Sequence, residues 1–166
     1  MENSMNILSM LFQLPVRLLA LIFSASSLLF TPSAIAQNDE IPAGIQADEI
    51  QWFTPPAGFA QGAEGAMLAG PPNKEGSLYT IRVRLEKGGI INPHRHPDKR
   101  QITILRGTLY AGRGSKIAEP YTTQYTPGSF FVVPADYVHF SWAKDGDVVY
   151  QETGIGPTAN ELVESE

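Results

Sequence analysis

From residue 78 onward the chain is a succession of short alternating or apolar segments separated by turn residues. In the clearest of them, Leu78–Leu85, the apolar residues Tyr79, Ile81, Val83 and Leu85 share one face and polar side chains occupy the other. Such alternation is typical of a half-buried strand. With 13 prolines and 15 glycines in 166 residues, the chain is interrupted too often for long helices. The pattern therefore predicts a single all-β domain, a sandwich or barrel of short strands.

Further strands are predicted after residue 100 from the same kinds of segment. They are Gln101–Leu105, Thr108–Ala111, Ser129–Val133, Tyr137–Ala143 and Val148–Glu152. Glu86–Gly89 is predicted to be a turn, and Lys144–Asp147 a hairpin-type turn that joins the last two strands. The stretch from residue 37 to about 72 is expected to be loop-like, with at most a short strand at Ile50–Phe53.

The N-terminal residues have the pattern of a secretory signal. An apolar run, Leu18–Phe30, follows Arg17 and precedes Ala34-Ile35-Ala36, a small-x-small cleavage pattern. Because the run is short for a membrane span, we expect cleavage after Ala36 and no stable membrane insertion afterwards. The mature protein is then periplasmic or secreted. The alternative is an uncleaved anchor, since no charged residue lies between Arg17 and Asp39.

The expected organisation has four parts: a signal peptide over residues 1–36, an N-terminal arm with the first strand or strands over 37–75, a barrel core over 76–160 and a C-terminal tail over 161–166. Composition narrows the functions that this domain can have. A net charge of −5 does not provide the positive charge with which proteins attract nucleic acid. The absence of cysteine excludes disulfides and thiolate chemistry.

The chain contains three histidines, and they fall into two short patterns. His94 and His96 are separated by one residue, so on a strand they point to the same face. His139 follows in a later predicted strand. Imidazole is a common ligand of transition metals, so the three side chains predict a three-nitrogen site for one divalent ion. The alternative is a solvated or pH-sensitive pair of histidines.

These patterns resemble the two motifs of the cupin superfamily. The first motif is matched by Gly88, His94, His96, Arg100 and Gly107, with five, one, three and six residues between them. The second is matched by Gly128, Pro134, Asp136, His139 and Ala143, with five, one, two and three residues between them. The resemblance implies a jelly-roll barrel with a metal or ligand pocket inside, and commonly a homodimer. Gly88, Gly107, Gly128 and Pro134 are expected to form its structural turns.

Arg100 departs from the family pattern, in which a glutamate ligand occupies that position. Arginine cannot ligate a metal, whereas the amide oxygen of Gln101 could do so if the strand shifted by one residue. Such a shift would move Ile102 and Ile104 to the opposite face. We therefore favour a site of three histidines with Arg100 nearby or turned outward, and keep Gln101 as the alternative ligand.

Three neutral imidazoles leave coordination positions open, and the resemblance implies oxygen activation, because some cupin dioxygenases carry three histidines in this manner. Fe²⁺ is the favoured metal, and Mn²⁺, Zn²⁺, Ni²⁺ or Cu²⁺ also suit nitrogen ligands. The predicted function is a small-molecule metalloenzyme, dioxygenase-like or isomerase-like; the alternative is a non-catalytic cupin that binds a metal or small ligand. Arg100, Gln151 and Thr153 are candidates for polar contacts to the ligand.

Overall fold

The computed structural model describes residues 44–164, and these form strands with one short 3₁₀ helix, Glu119–Tyr121. The strands are β1 Ala60–Ala69, β2 Leu78–Arg95, β3 Arg100–Arg106, β4 Leu109–Arg113, β5 Thr122–Tyr125, β6 Phe130–Val133, β7 His139–Trp142, β8 Val148–Ile155 and β9 Glu161–Leu162. The all-β, single-domain jelly roll is therefore confirmed. The predicted signal peptide lies outside the described residues. Within 44–164, no helix has the length and apolarity needed to cross a membrane.

The long strand β2 organises the sheet. Strands follow one another in the order β5, β4, β7, β2, β8, β3, β6, and β1 and β9 also pair with β2. The two ends of this order, β5 and β6, face each other across a gap in which Tyr125 and Phe131 stack with ring centroids 4.2 Å apart. The result is a nearly closed barrel whose interior holds apolar side chains such as Leu85, Ile104 and Tyr150.

The turn predicted at Glu86–Gly89 is wrong, because β2 runs through these residues. On β1, Gln61 and Ala63 face Ile90 and Leu85, so the extra residues of β2 form a bulge there. Gly88 adopts a φ of 82° in this bulge, a conformation that glycine accepts without strain. A turn and a bulge use the same residue types, and the pairing partner decides between them.

The hairpin predicted at Lys144–Asp147 is also wrong. Strands β7 and β8 do not pair with each other; both pair with β2, which β7 meets near His94 and β8 along Leu78–Leu85. Together they run antiparallel to nearly the whole of β2, and residues 144–147 lie opposite its bulge, where Asp147 accepts a hydrogen bond from the Lys87 amide. The bulge of β2 and the connection between β7 and β8 lie opposite each other, so the strands on both sides can bend together around the barrel.

The region expected to be loop-like contains the ten-residue strand β1, which pairs with β2. The expected strand at Ile50–Phe53 is reduced to one bridge between Phe53 and Gly65. Strands β5 and β9 were not predicted either. β1 is rich in alanine and glycine, which have low strand propensity, so its pairing with β2 overrides its local preference.

Gly107 precedes β4 with a φ of 73°, and a Cβ atom at this position would overlap the carbonyl oxygen of Asp147. Gly114 has a nearly identical φ of 77° but meets no described atom within 4 Å. Gly107→Ala should therefore lower the free energy of unfolding by more than about 3 kcal/mol, against about 1–2 kcal/mol for Gly114→Ala, since only the first adds a backbone clash to the strain of a positive φ. Urea denaturation measures both; equal losses would contradict the role of the Asp147 carbonyl.

Candidate metal centre

The structure brings the three histidines together at one end of the barrel. His94 lies near the end of β2, His96 follows that strand, and His139 begins β7 as the register partner of His94. Ring centroids are 4.2 Å apart for His94 and His139, 5.0 Å for His96 and His139, and 6.2 Å for His94 and His96. All three side chains are buried.

Backbone carbonyls fix the protonation of each ring. The Nδ1 atoms of His94 and His139 lie 2.8 Å from the carbonyl oxygens of Asn92 and Tyr137. Nδ1 of His96 lies 2.6 Å from the carbonyl of Asp98. A carbonyl oxygen only accepts, so Nδ1 carries the proton and Nε2 presents a lone pair. Nε2 of His96 is buried and has no hydrogen-bond partner within residues 44–164.

Burial keeps the imidazoles neutral. It lowers the pKa of His94 to about 3, with further lowering by the nearby His139, and the pKa of His139 to about 4. Burial, aided by the positive charge of Arg100, also lowers the pKa of His96. Neutral imidazole is the form that coordinates a metal, so the environment of the three rings favours the metal-binding state.

The donors fit a divalent ion in kind. An orphaned buried acceptor such as Nε2 of His96 is what a cation would satisfy. Within the described part of the chain, however, no three His, Cys, Asp or Glu side chains are placed so that they could hold a metal ion. The three histidine rings are therefore adjacent without forming a metal-holding arrangement in this structure.

Arg100 points into the barrel beside the histidines. It is only 4% exposed, and its Nη1 donates to Glu152 at 2.9 Å. Its Nη2 donates to Thr158 at 2.8 Å and to Asn160 at 2.9 Å, and its Nε lies 3.6 Å from a carboxylate oxygen of Asp98. Of the two placements expected for this side chain, nearby or turned outward, the structure shows the first.

Gln101 follows Arg100 on β3 and is exposed, whereas Ile102 and Ile104 are buried. Strand alternation therefore places Gln101 on the face opposite to Arg100. Ligation of a metal by Gln101 stays the alternative prediction.

Gln151 and Thr153 are not brought to the histidines. Gln151 accepts a hydrogen bond from Arg82 at 2.8 Å, and the hydroxyls of Thr153 and Thr80 are 3.3 Å apart. These contacts lie on the β8 face opposite to Glu152. Glu152, the residue between them, lines a cavity together with His94.

Sequence reasoning missed a buried polar network around Arg100. Tyr79 and Thr158 donate to the carboxylate of Asp98, and burial together with the Asp98 hydrogen bond raises the pKa of Tyr79 to about 12. A signal for Glu152 existed, since it shares the strand face of Val148 and Tyr150, both buried. Nothing in the sequence marked Asp98 or Thr158.

Two cavities reach the histidines. The first, which we call the arm cavity, has a volume of about 130 Å³ and lies between the segment Phe53–Phe59 and the barrel, with His94, Arg100 and Glu152 in its lining. The second, which we call the edge cavity, has a volume of about 350 Å³, lies at the gap between β5 and β6 and includes His139. His96 lines neither cavity and has the lowest exposed fraction of the three histidines.

The chain belongs to the cupin family: the family model described as "Cupin" matches residues 69–163, more than half of the chain. A search of curated proteins found no match. Solved structures show the same fold. The polyketide cyclase RemF of Streptomyces resistomycificus is 14% identical, with a TM-score of 0.62 over 76% of this chain and 88% of that one.

A cupin-like protein of Thermotoga maritima is 21% identical, with a TM-score of 0.56 over 67% of this chain and 84% of that one. The DMSP lyase DddQ of Ruegeria pomeroyi is 20% identical, with a TM-score of 0.57 over 70% of this chain and 62% of that one. At these identities the likeness establishes the fold. Two of these three proteins, the cyclase and the lyase, are named as enzymes.

The metal-free protein should lose stability in acid. The histidine pKa values lie below the ordinary 6.5 in the folded state, so the unfolded chain binds more protons and unfolding becomes easier as pH falls from about 6.5 towards 4. Each such histidine contributes up to about 1.4 kcal/mol per pH unit. Urea denaturation at several pH values measures this slope, and His94→Gln/His139→Gln should flatten it. An unchanged slope in the double variant would contradict the assignment.

Removing Arg100 should be costly in a way that exposed arginines are not. Arg100→Met leaves Glu152 and Asp98 buried without their cation, which should lower the free energy of unfolding by about 3–5 kcal/mol. Arg95 pairs with Glu161 at the same 2.9 Å but on the surface, so Arg95→Met should change stability by at most about 1 kcal/mol. Thermal and urea denaturation compare the two variants, and similar losses would show that burial of the Arg100 pair is not what matters.

Proposed function

We propose that this cupin binds one divalent transition metal through His94, His96 and His139 and acts on a small molecule. The observation that carries the proposal is the set of three adjacent neutral imidazoles. In each of them Nδ1 is held by a backbone carbonyl, and Nε2 keeps a lone pair that a metal could accept. Cupins commonly bind such an ion. Fe²⁺ is favoured, and Mn²⁺, Zn²⁺, Ni²⁺ and Cu²⁺ are the other ions that nitrogen ligands suit.

Catalysis is favoured over passive binding because three protein ligands leave coordination positions open, whereas structural metal sites are normally closed by four. When bound, the ion supplies Lewis acidity and, in the case of iron(II), oxygen activation. The solved neighbours that are named as a cyclase and a lyase support an enzyme. The proposal is a dioxygenase-like or isomerase-like reaction on a small organic molecule, with export after Ala36 and a homodimer as further parts.

The residues around the site define what the chain itself contributes. Glu152 lines the arm cavity together with His94, so its carboxylate is placed to hold a proton of a bound molecule. Arg100 orients that carboxylate through the 2.9 Å hydrogen bond from Nη1. Asp98, Glu152 and Arg100 together carry one net negative charge, which partly offsets a dication that three neutral ligands leave uncompensated.

Each of His94→Ala, His96→Ala and His139→Ala should reduce bound metal at least tenfold, since each removes one of three ligands. Gln101→Ala should leave the metal content unchanged and serves as the matched control for the alternative ligand. Elemental analysis of protein purified without chelator or metal-affinity tag gives the result, and circular dichroism verifies folding. Full occupancy in the triple histidine variant, or loss of metal in Gln101→Ala, would refute the ligand set.

Turnover is tested on protein loaded anaerobically with Fe²⁺ and, separately, with Mn²⁺, Zn²⁺ or Ni²⁺. Oxygen uptake or isomerised product from a panel of small organic molecules supports an enzyme. Tight ligand binding without turnover under any metal would instead establish the non-catalytic binding cupin.

A further inference from the structure

The wall of the arm cavity is apolar and held in place at both ends. Phe53 and Gly65 exchange backbone hydrogen bonds of 2.8 and 2.9 Å. Six residues later, the Phe59 carbonyl accepts from the Asn92 amide at 2.9 Å, and the Gly58 carbonyl accepts from the Asn92 side chain at 2.8 Å. The segment between these anchors therefore forms a fixed cover, and the Phe59 ring packs edge-on against His94 with centroids 5.1 Å apart.

Opposite this cover, the barrel contributes Ile81, Val83 and Ile91. The volume of about 130 Å³ is close to that of an engineered apolar cavity of about 150 Å³ that binds benzene. The cavity thus has room for one aromatic ring or an aliphatic body of similar size.

Polar groups enter the cavity at one end, and their hydrogen bonds are unevenly used. Both hydrogens of Arg100 Nη2 are taken by Thr158 and Asn160, and Nη1 donates to Oε2 of Glu152. Within residues 44–164 the side-chain hydrogen bond to the Glu152 carboxylate goes to Oε2, while the Nε–H of Arg100 is buried without a hydrogen-bond partner and lies 3.6 Å from Asp98. Because Arg100 Nε lies beside the Asp98 carboxylate, the hydrogen-bonding capacity left for a ligand at Glu152 is the acceptor Oε1.

Charge at this end acts in the same direction. Glu152 and Asp98 are buried beside the single cation Arg100, which leaves one net negative charge. A carboxylate ligand would be repelled by this charge and would have to displace a buried ion pair to reach the guanidinium. A neutral hydroxyl would instead complete the hydrogen bonding of Glu152.

We propose that the arm cavity binds an uncharged molecule with an apolar body of about one ring and one hydroxyl donor directed at Oε1 of Glu152, and that it excludes the corresponding carboxylates. The inference deepens the proposed function, since it rests on this cavity being the substrate pocket of the histidine site. Binding itself needs no metal, so the cavity and the metal site can be tested separately.

The experiment uses protein from which metal has been removed with a chelator. This protein is titrated with phenol, benzene and benzoate at pH 7.5, by calorimetry and by protein NMR. Phenol should bind at least tenfold more tightly than benzene, because a hydrogen bond to a charged acceptor is worth about that factor or more. It should also bind at least tenfold more tightly than benzoate, and the perturbed resonances should include those of Phe59 and Ile81. Equal affinity for benzoate, or no binding of phenol, would overturn the proposal.

Variants locate the recognition. Glu152→Gln removes the charge and should erase the preference for phenol over benzoate, while Glu161→Gln, which neutralises an exposed carboxylate bound by Arg95 at the same 2.9 Å, should retain it. Ala63 lines the cavity, so Ala63→Leu should fill it and abolish phenol binding. Should that variant fail to fold, Ile81→Phe serves the same purpose. Phenol affinity that survives filling, or selectivity that survives Glu152→Gln, would refute the assignment.

Elemental analysis of the same preparations before chelation separates the two hypotheses. Phenol binding in a protein that takes up no metal supports the pocket and refutes the metal-dependent function. Metal uptake without phenol binding refutes the pocket alone.

Discussion

The guanidinium of Arg100 is buried inside the barrel, and a buried cation is stable only when its charge and its donors are matched. Its partners come from different parts of the chain: Glu152 on β8, Asp98 in the turn after β2, and Thr158 in the C-terminal segment. Satisfying this one charge therefore fixes three segments against each other at the end of the barrel that holds the histidines. The site depends on that arrangement, because the same turn supplies the Asp98 carbonyl that orients His96.

A carboxylate lies near the histidines although arginine occupies the family position for it. Glu152 projects from β8, the strand that pairs with β3, and meets Arg100 across that pairing. The ion pair uses one oxygen of the carboxylate, and Glu152 also lines the arm cavity. Under the proposed function, the three neutral histidines would hold the metal while this carboxylate serves a bound molecule, which it could not do as a fourth ligand of the metal.

Local sequence pattern was sufficient for much of the fold. Alternation in Leu78–Leu85 and apolar segments elsewhere located the core strands, and the spacing of the histidines placed them on one face. The pattern failed where strand pairing decides the structure. β1 is recognisable only by its partner β2, and residues 86–89 form a bulge because the residues on both sides of them pair with β1. Residues 144–147 connect β7 to β8 without closing a hairpin, because both strands pair with β2. Glu152 was not predicted for a related reason. Both faces of β8 carry polar residues, and it is the burial of Val148 and Tyr150 that shows the Glu152 face to be the interior one.

Strand β2 explains how the site is held. β2 carries His94, pairs with β7 that carries His139, and pairs with β8 that carries Glu152. Side chains on directly hydrogen-bonded strands have their separations set by the ladder rather than by loops. The arm then covers these groups through its contacts to β1 and β2. Chemistry and enclosure are thus positioned by one continuous strand, so a ligand in the arm cavity meets groups whose spacing is fixed before it binds.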